Sequence, residues 1–194
     1  MRVIFISSDY VFDGKSGPYD DEAVTAPTTE YGRLKVAVEQ EISSLVRQFT
    51  VMRLSKIYGV AKGDATLLDE MASSLAAGKE IRVARDQVFC PTYVGDLVRT
   101  VLQAQLARIC GHLNVCNPER WSRAEVALAL AAAMGVNTAL ARQISLYDIP
   151  AMVGRPLDTS MACSRLIREV KPTFTPLKDN ILKVAANWSG GETA

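Results

Sequence analysis

Tyr31 and Lys35 stand four residues apart in Tyr31-Gly32-Arg33-Leu34-Lys35. On a helix that spacing brings a phenol and an ammonium onto one face. A cation beside a phenol favours the phenolate and draws its pKa below the ordinary ~10. Such a tyrosine can hand a proton to a carbonyl oxygen near neutral pH. An exposed i,i+4 pair has the same spacing, so spacing alone does not decide. A second match, Tyr58-Gly59-Val60-Ala61-Lys62, follows a strand and contains a glycine, so it reads as loop. Only the first match opens an amphipathic helix.

Ser8 is the third candidate. Val3-Ile4-Phe5-Ile6 is an unalternating apolar run ending in Ser7-Ser8, the pattern of a strand covered on both faces in a parallel sheet. Ligands of open α/β sheets sit beyond the carboxyl ends of strands. A serine there either points its hydroxyl into a site or bonds the turn at the strand end. In Ser8-Asp9-Tyr10-Val11-Phe12-Asp13-Gly14, Asp13-Gly14 signals a turn. Tyr10 and Phe12 either wall a pocket or anchor the loop.

The elements that must position these residues follow from periodicity. Residues 9–27 hold several glycines, prolines and acids and read as a long loop. A helix is expected from about Thr29 to Arg47, with Leu34, Val38, Ile42 and Leu45 as one apolar stripe. Residues 49–54 form the next strand, completing a βαβ unit with parallel pairing. Further helices are expected over 65–77, 94–108, 123–134, 164–170 and 177–188, with strands at 81–83 and 112–116. Ser122-Arg123-Ala124-Glu125 fits a capping box, with Trp121 and Val126 at the staple positions. The tail Gly190-Gly191-Glu192-Thr193-Ala194 reads as frayed.

Composition narrows the chemistry. The 194 residues carry a formal net charge of +1, which argues against a nucleic-acid partner held by phosphate contacts. A single histidine, His112, excludes any site that needs two imidazoles. No apolar run approaches the ~20 residues of a membrane span. Cys90, Cys110, Cys116 and Cys163 form no C-x-x-C pair and read as buried, reduced thiols of a cytoplasmic protein. No metal site is expected.

Ile6-Ser7-Ser8-Asp9-Tyr10-Val11-Phe12-Asp13-Gly14, Pro18-Tyr19, Pro27 and Tyr31-Gly32-Arg33-Leu34-Lys35 with Glu39 resemble the extended short-chain dehydrogenase/reductases, most closely their dTDP-4-dehydrorhamnose reductase branch. The likeness continues through Arg53-Leu54-Ser55-Lys56-Ile57-Tyr58-Gly59, Asp86–Leu97, His112–Val115 and Arg155-Pro156-Leu157-Asp158. It implies an α/β fold: the second part of a Rossmann-type parallel sheet with a small mixed α/β substrate domain. It also implies NAD(P)H-dependent reduction of a 4-keto-deoxysugar nucleotide in the cytoplasm, with NADP or NAD as cofactor. By that resemblance Ser8, Tyr31 and Lys35 are catalytic. Tyr31, Lys35 and Ser55 lie against the cofactor. Asp9, Tyr10 and Lys56 face the sugar, and Arg155 lies near the nucleotide diphosphate. The implied domains are 1–62 with 94–116 for the nucleotide-binding part, and 63–93 with 117–194 for the substrate region.

The chain departs from that pattern in two places. Lys56 stands where family reductases often carry an aromatic residue that stacks on the sugar. The G-x-x-G-x-x-G turn that receives the pyrophosphate does not occur in the sequence. About the first hundred residues of the family pattern are expected to be missing, which leaves strand 2–8 as a bare edge. Three readings follow: a reductase that is incomplete alone and is completed by a second copy or another polypeptide; a non-catalytic regulatory module like the regulatory subunit of methionine adenosyltransferase; or an inactive truncated product. Whether the chain is itself an enzyme stays open at this stage.

Overall fold

The computed structural model describes residues 2–189; the tail read as frayed lies outside them. From the N-terminus, β1 (Val3–Ser8) leads through a loop to α1 (Glu30–Leu45) and β2 (Phe49–Leu54). The short β3 (Ile57–Tyr58), α2 (Leu67–Ala76), β4 (Ile81–Ala84), β5 (Val88–Phe89) and β6 (Thr92–Tyr93) follow. Next come α3 (Val94–Leu106), β7 (Gly111–Val115), β8 (Trp121–Ser122), α4 (Arg123–Ala133) and β9 (Ala141–Ile144). The described chain ends with α5 (Ser164–Val170) and α6 (Leu177–Ser189). The expected elements are all present, with ends moved by a few residues.

The main sheet is parallel with order β1-β2-β7. Ser8 pairs with Leu54, and Leu54 with Val115. The three carboxyl ends are therefore level, which is where this architecture places ligands. Among the described residues β1 pairs with β2 alone. Its outer edge is open, and Ile6 on it is exposed.

α1 begins at Thr29, whose hydroxyl accepts from the Gly32 amide at 3.1 Å. Its orientation departs from the expectation. Leu34, Val38 and Leu45 of the apolar stripe are exposed, whereas Glu39 is buried. The covered face of α1 meets Arg53 on β2. Its guanidinium meets the Glu39 carboxylate at 2.7 Å, and both side chains are almost fully enclosed. The Ser7 hydroxyl also donates to Glu39. With both charges enclosed, this pair must stay matched, since either one alone would be a buried unpaired charge. α3 shows a milder version: Leu97 and Ala104 are buried while Val98, Leu102 and Leu106 are exposed.

Side chains pack into two cores. One joins the sheet to α3 and α5 through Met52, Leu113, Val115, Leu97 and Leu166. The other joins α2, α4 and α6 through Leu68, Leu130 and Ile181. α5, assigned to the substrate region by the sequence, packs on β7 in the sheet core. The capping box of α4 forms as expected: the Glu125 amide donates to Ser122 Oγ at 3.1 Å, and the Ser122 amide to Glu125 Oε2 at 2.6 Å. Trp121 and Val126 both pack into the helical core. Cys90, Cys116 and Cys163 are buried, but Cys110 is exposed, because it sits in the turn before β7 rather than in a strand.

Candidate active site

A cleft of about 650 Å³ opens at the carboxyl ends of β1 and β2. Ser8, Asp9, Tyr10, Tyr31, Ser55, Lys56 and Arg155 all line it. Lys35 does not. It lies behind Tyr31, with Nζ 5.6 Å from the phenol ring centre and 4.9 Å from that of Phe5. One Lys35 N–H donates to the Ile6 carbonyl at 2.8 Å, which ties the helix to the strand.

Ser8 closes β1 and caps the turn Asp9–Val11. Its Oγ accepts from the Tyr10 amide at 3.2 Å and donates to Asp9 Oδ1 at 3.0 Å. The hydroxyl bonds the turn, and the residue also lines the cleft. Asp9 also accepts from Ser55 Oγ at 3.2 Å and Thr159 Oγ1 at 2.8 Å. Burial pushes its carboxyl up to about 6, while the three hydroxyls and Lys56 pull the other way. Ser55 is fixed in turn by the Cys90 amide, 3.0 Å from its Oγ.

The two aromatics of the loop divide the roles left open by the sequence. Tyr10 lines the cleft and meets Tyr31 edge to face, with ring centres 6.2 Å apart. Burial, and then the Asp9 charge, raise its pKa. Phe12 is fully buried and stacks on Tyr19 at 4.2 Å. Gly32 explains how α1 comes so close to this loop, since a Cβ there would run into the Tyr10 carbonyl and Pro27. The second tyrosine–lysine match is structural. Tyr58 is buried in β3, its hydroxyl accepts from Asn180 at 2.9 Å, and burial pushes it up to about 12. Lys62 lies over the Trp188 ring instead.

The sequence reading missed Thr159, Arg82 and Arg123, all of which line the cleft. Arg123 is the first residue of α4, just after the Ser122 cap, so its position was legible although its direction was not. Thr159 lies one residue beyond the Arg155–Asp158 motif. Burial lowers the pKa of both Arg123 and Lys56. Among the described residues no group of histidines, cysteines and acids could hold a metal ion, and no helix is long and apolar enough to cross a membrane.

Comparison with known proteins identifies the family. The family model described as RmlD substrate binding domain matches residues 1–188. A dTDP-4-dehydrorhamnose reductase of Mycolicibacterium smegmatis is 33% identical over 181 residues, covering 91% of this chain and 54% of that protein. Methionine adenosyltransferase 2 subunit beta of Xenopus laevis is 29% identical over 190 residues, covering 92% and 55%. The crystal structure of a Bacillus anthracis dTDP-4-dehydrorhamnose reductase in complex with NADP superposes with a TM-score of 0.81 at 26% identity, covering 92% of this chain and 63% of that one. The chain thus spans roughly half to three-fifths of the relatives it matches.

Proposed function

Because the chain belongs to the RmlD substrate binding domain family, we propose that its cleft binds a 4-keto sugar linked to a nucleoside diphosphate, the class that includes dTDP-4-dehydrorhamnose, for reduction at the ketone. The observation that supports this most directly is the convergence of Ser8, Tyr31 and Lys56 on one cleft, with Lys35 behind the phenol. Tyr31, half-exposed at the cleft wall, gives its proton to the ketone oxygen as that oxygen gains charge. Ser8 turns its hydroxyl from Asp9 toward the same oxygen. Lys35 holds a positive charge near the phenolate left behind. Tyr10 walls the sugar subsite, and Arg155 faces the diphosphate.

The residues present fit the nicotinamide end of NADP or NAD. Lys35 spends one N–H on Ile6, which leaves donors for a ribose, and Ser55 at the end of β2 faces the same cleft. When bound, the nicotinamide supplies a hydride. The sequence-derived division is retained as part of this reading, 1–62 with 94–116 for the nucleotide side and the remainder for the substrate side, with α5 joined to the former. The open edge of β1 accepts a further parallel strand, from a second copy of the chain or from another polypeptide.

NADPH oxidation with a dTDP-4-keto-6-deoxysugar, followed by absorbance, tests the activity, with binding of dTDP measured alongside. dTDP binding that Arg155→Ala weakens, together with turnover that Tyr31→Phe abolishes, supports the reading. Absence of dTDP binding sinks it. A second reading, a regulatory module without catalysis, is favoured by the match to the methionine adenosyltransferase subunit. It predicts dTDP-independent, stoichiometric capture of a protein partner and no turnover.

A further inference from the structure

Three hydroxyls around Asp9 each spend their single proton on its carboxylate. Ser55 Oγ and Thr159 Oγ1 donate to Oδ2 at 3.2 and 2.8 Å, and Ser8 Oγ donates to Oδ1 at 3.0 Å. Among the described residues Ser8 is the one donor to Oδ1. Its Oγ also accepts from the Tyr10 amide at 3.2 Å, so the hydroxyl is held from both sides. Asp9 is only 5% exposed, and a buried carboxylate oxygen left without a donor is costly.

This arrangement sets a condition on Ser8. Its one proton is already given to Asp9, and turning it toward a ketone strips Oδ1 of its donor. A carboxylate oxygen has two lone pairs, so Oδ1 has room for a second donor before the first one leaves. Ser8 and Asp9 both line the cleft. Their two oxygens, 3.0 Å apart, make a donor beside an acceptor. A ketone with a hydroxyl on the next carbon presents the complement: an acceptor beside a donor, held close together by its own covalent frame.

We propose that Asp9 gates Ser8: Oδ1 takes a hydroxyl on the carbon next to the ketone, and only then does Ser8 turn its proton to the ketone oxygen. Asp9 thereby selects α-hydroxy ketones. Oδ1 keeps a donor throughout the exchange, so no buried charge is left bare. This rests on the sugar-nucleotide reading above and deepens it. In a 4-keto-6-deoxysugar the hydroxyl concerned is the one on carbon 3, since carbon 5 carries the ring oxygen instead.

Titration calorimetry of the unmodified chain with dTDP-4-keto-6-deoxyglucose and its 3-deoxy and 2-deoxy analogues tests it. The 3-deoxy analogue is expected to bind at least about fivefold more weakly than the parent, because it leaves the acceptor unmatched. The 2-deoxy analogue keeps the hydroxyl beside the ketone and is expected to lose less than that. Asp9→Asn is expected to cut the 3-deoxy penalty by more than half, since its amide oxygen carries no charge. Ser8→Ala is expected to keep or enlarge the penalty, because Oδ1 then has no other donor. A smaller 3-deoxy penalty, an equal 2-deoxy penalty, a penalty that Asp9→Asn fails to halve or one that Ser8→Ala reduces overturns the proposal and leaves the sugar-nucleotide reading intact. Failure of dTDP-4-keto-6-deoxyglucose itself to bind overturns both.

Discussion

At the scale of single residues, Asp9 governs the site. It binds a proton more tightly in the folded chain, up to about 6, than its ordinary value of 3.8. Folding therefore takes up a proton between those values, and stability falls as pH rises through that window. Asparagine at this position does not titrate. Asp9→Asn is expected to gain on the wild type by on the order of 2 kcal/mol between pH 4.5 and pH 7.5, read from thermal melts at both. Tyr31→Phe is expected to lower ketone reduction by about 10²–10⁴-fold, with nucleotide-sugar affinity held within a few fold. That Ser8 and Tyr31 would reach the cleft was legible in the sequence because strand-end position and helical spacing are local properties, whereas the choice between Tyr10 and Phe12 as its wall was not. Thr159 was not, since it reaches Asp9 from 150 residues away.

At the scale of elements, a buried charge pair ties α1 to β2. Glu39 and Arg53 share a bidentate contact inside the protein, with Nε 3.2 Å from both carboxylate oxygens. Glu39→Leu leaves a bare guanidinium there and is expected to cost about 3–5 kcal/mol in chemical denaturation. Gly32→Ala pushes the same helix off the Tyr10 carbonyl. It is expected to lower the melting temperature and ligand affinity together, because the collision displaces Tyr31 with it. The sequence made the helices and the βαβ order plain, and the α4 cap forms with both of its hydrogen bonds. It misled on which face of α1 is covered, because periodicity marks apolar positions without showing that a partner strand carries an arginine at the contact.

At the scale of the molecule, two kinds of surface matter. The open edge of β1 lies with Ile6 exposed, and Leu34 and Leu102 are uncovered on the helices either side of the sheet. Sedimentation velocity is expected to show concentration-dependent association, reversed when Ile6 and Leu34 are both changed to lysine; a single species at every concentration would count against pairing at that edge. The pairing of β1 with β2 followed from crossover rules, but the place of β7 beside β2 and the division into two cores did not, since Leu166 joins the sheet from far along the chain. The cleft lies along the seam between those cores: Ser8 stands at the end of the sheet, and Arg82 on β4 stands opposite, beside the helical body. A molecule that grips both is a splint as much as a guest. Its arrival should slow amide hydrogen exchange on either side of the seam at once, so that recognition is recorded in the breathing of the scaffold as well as at the point of contact.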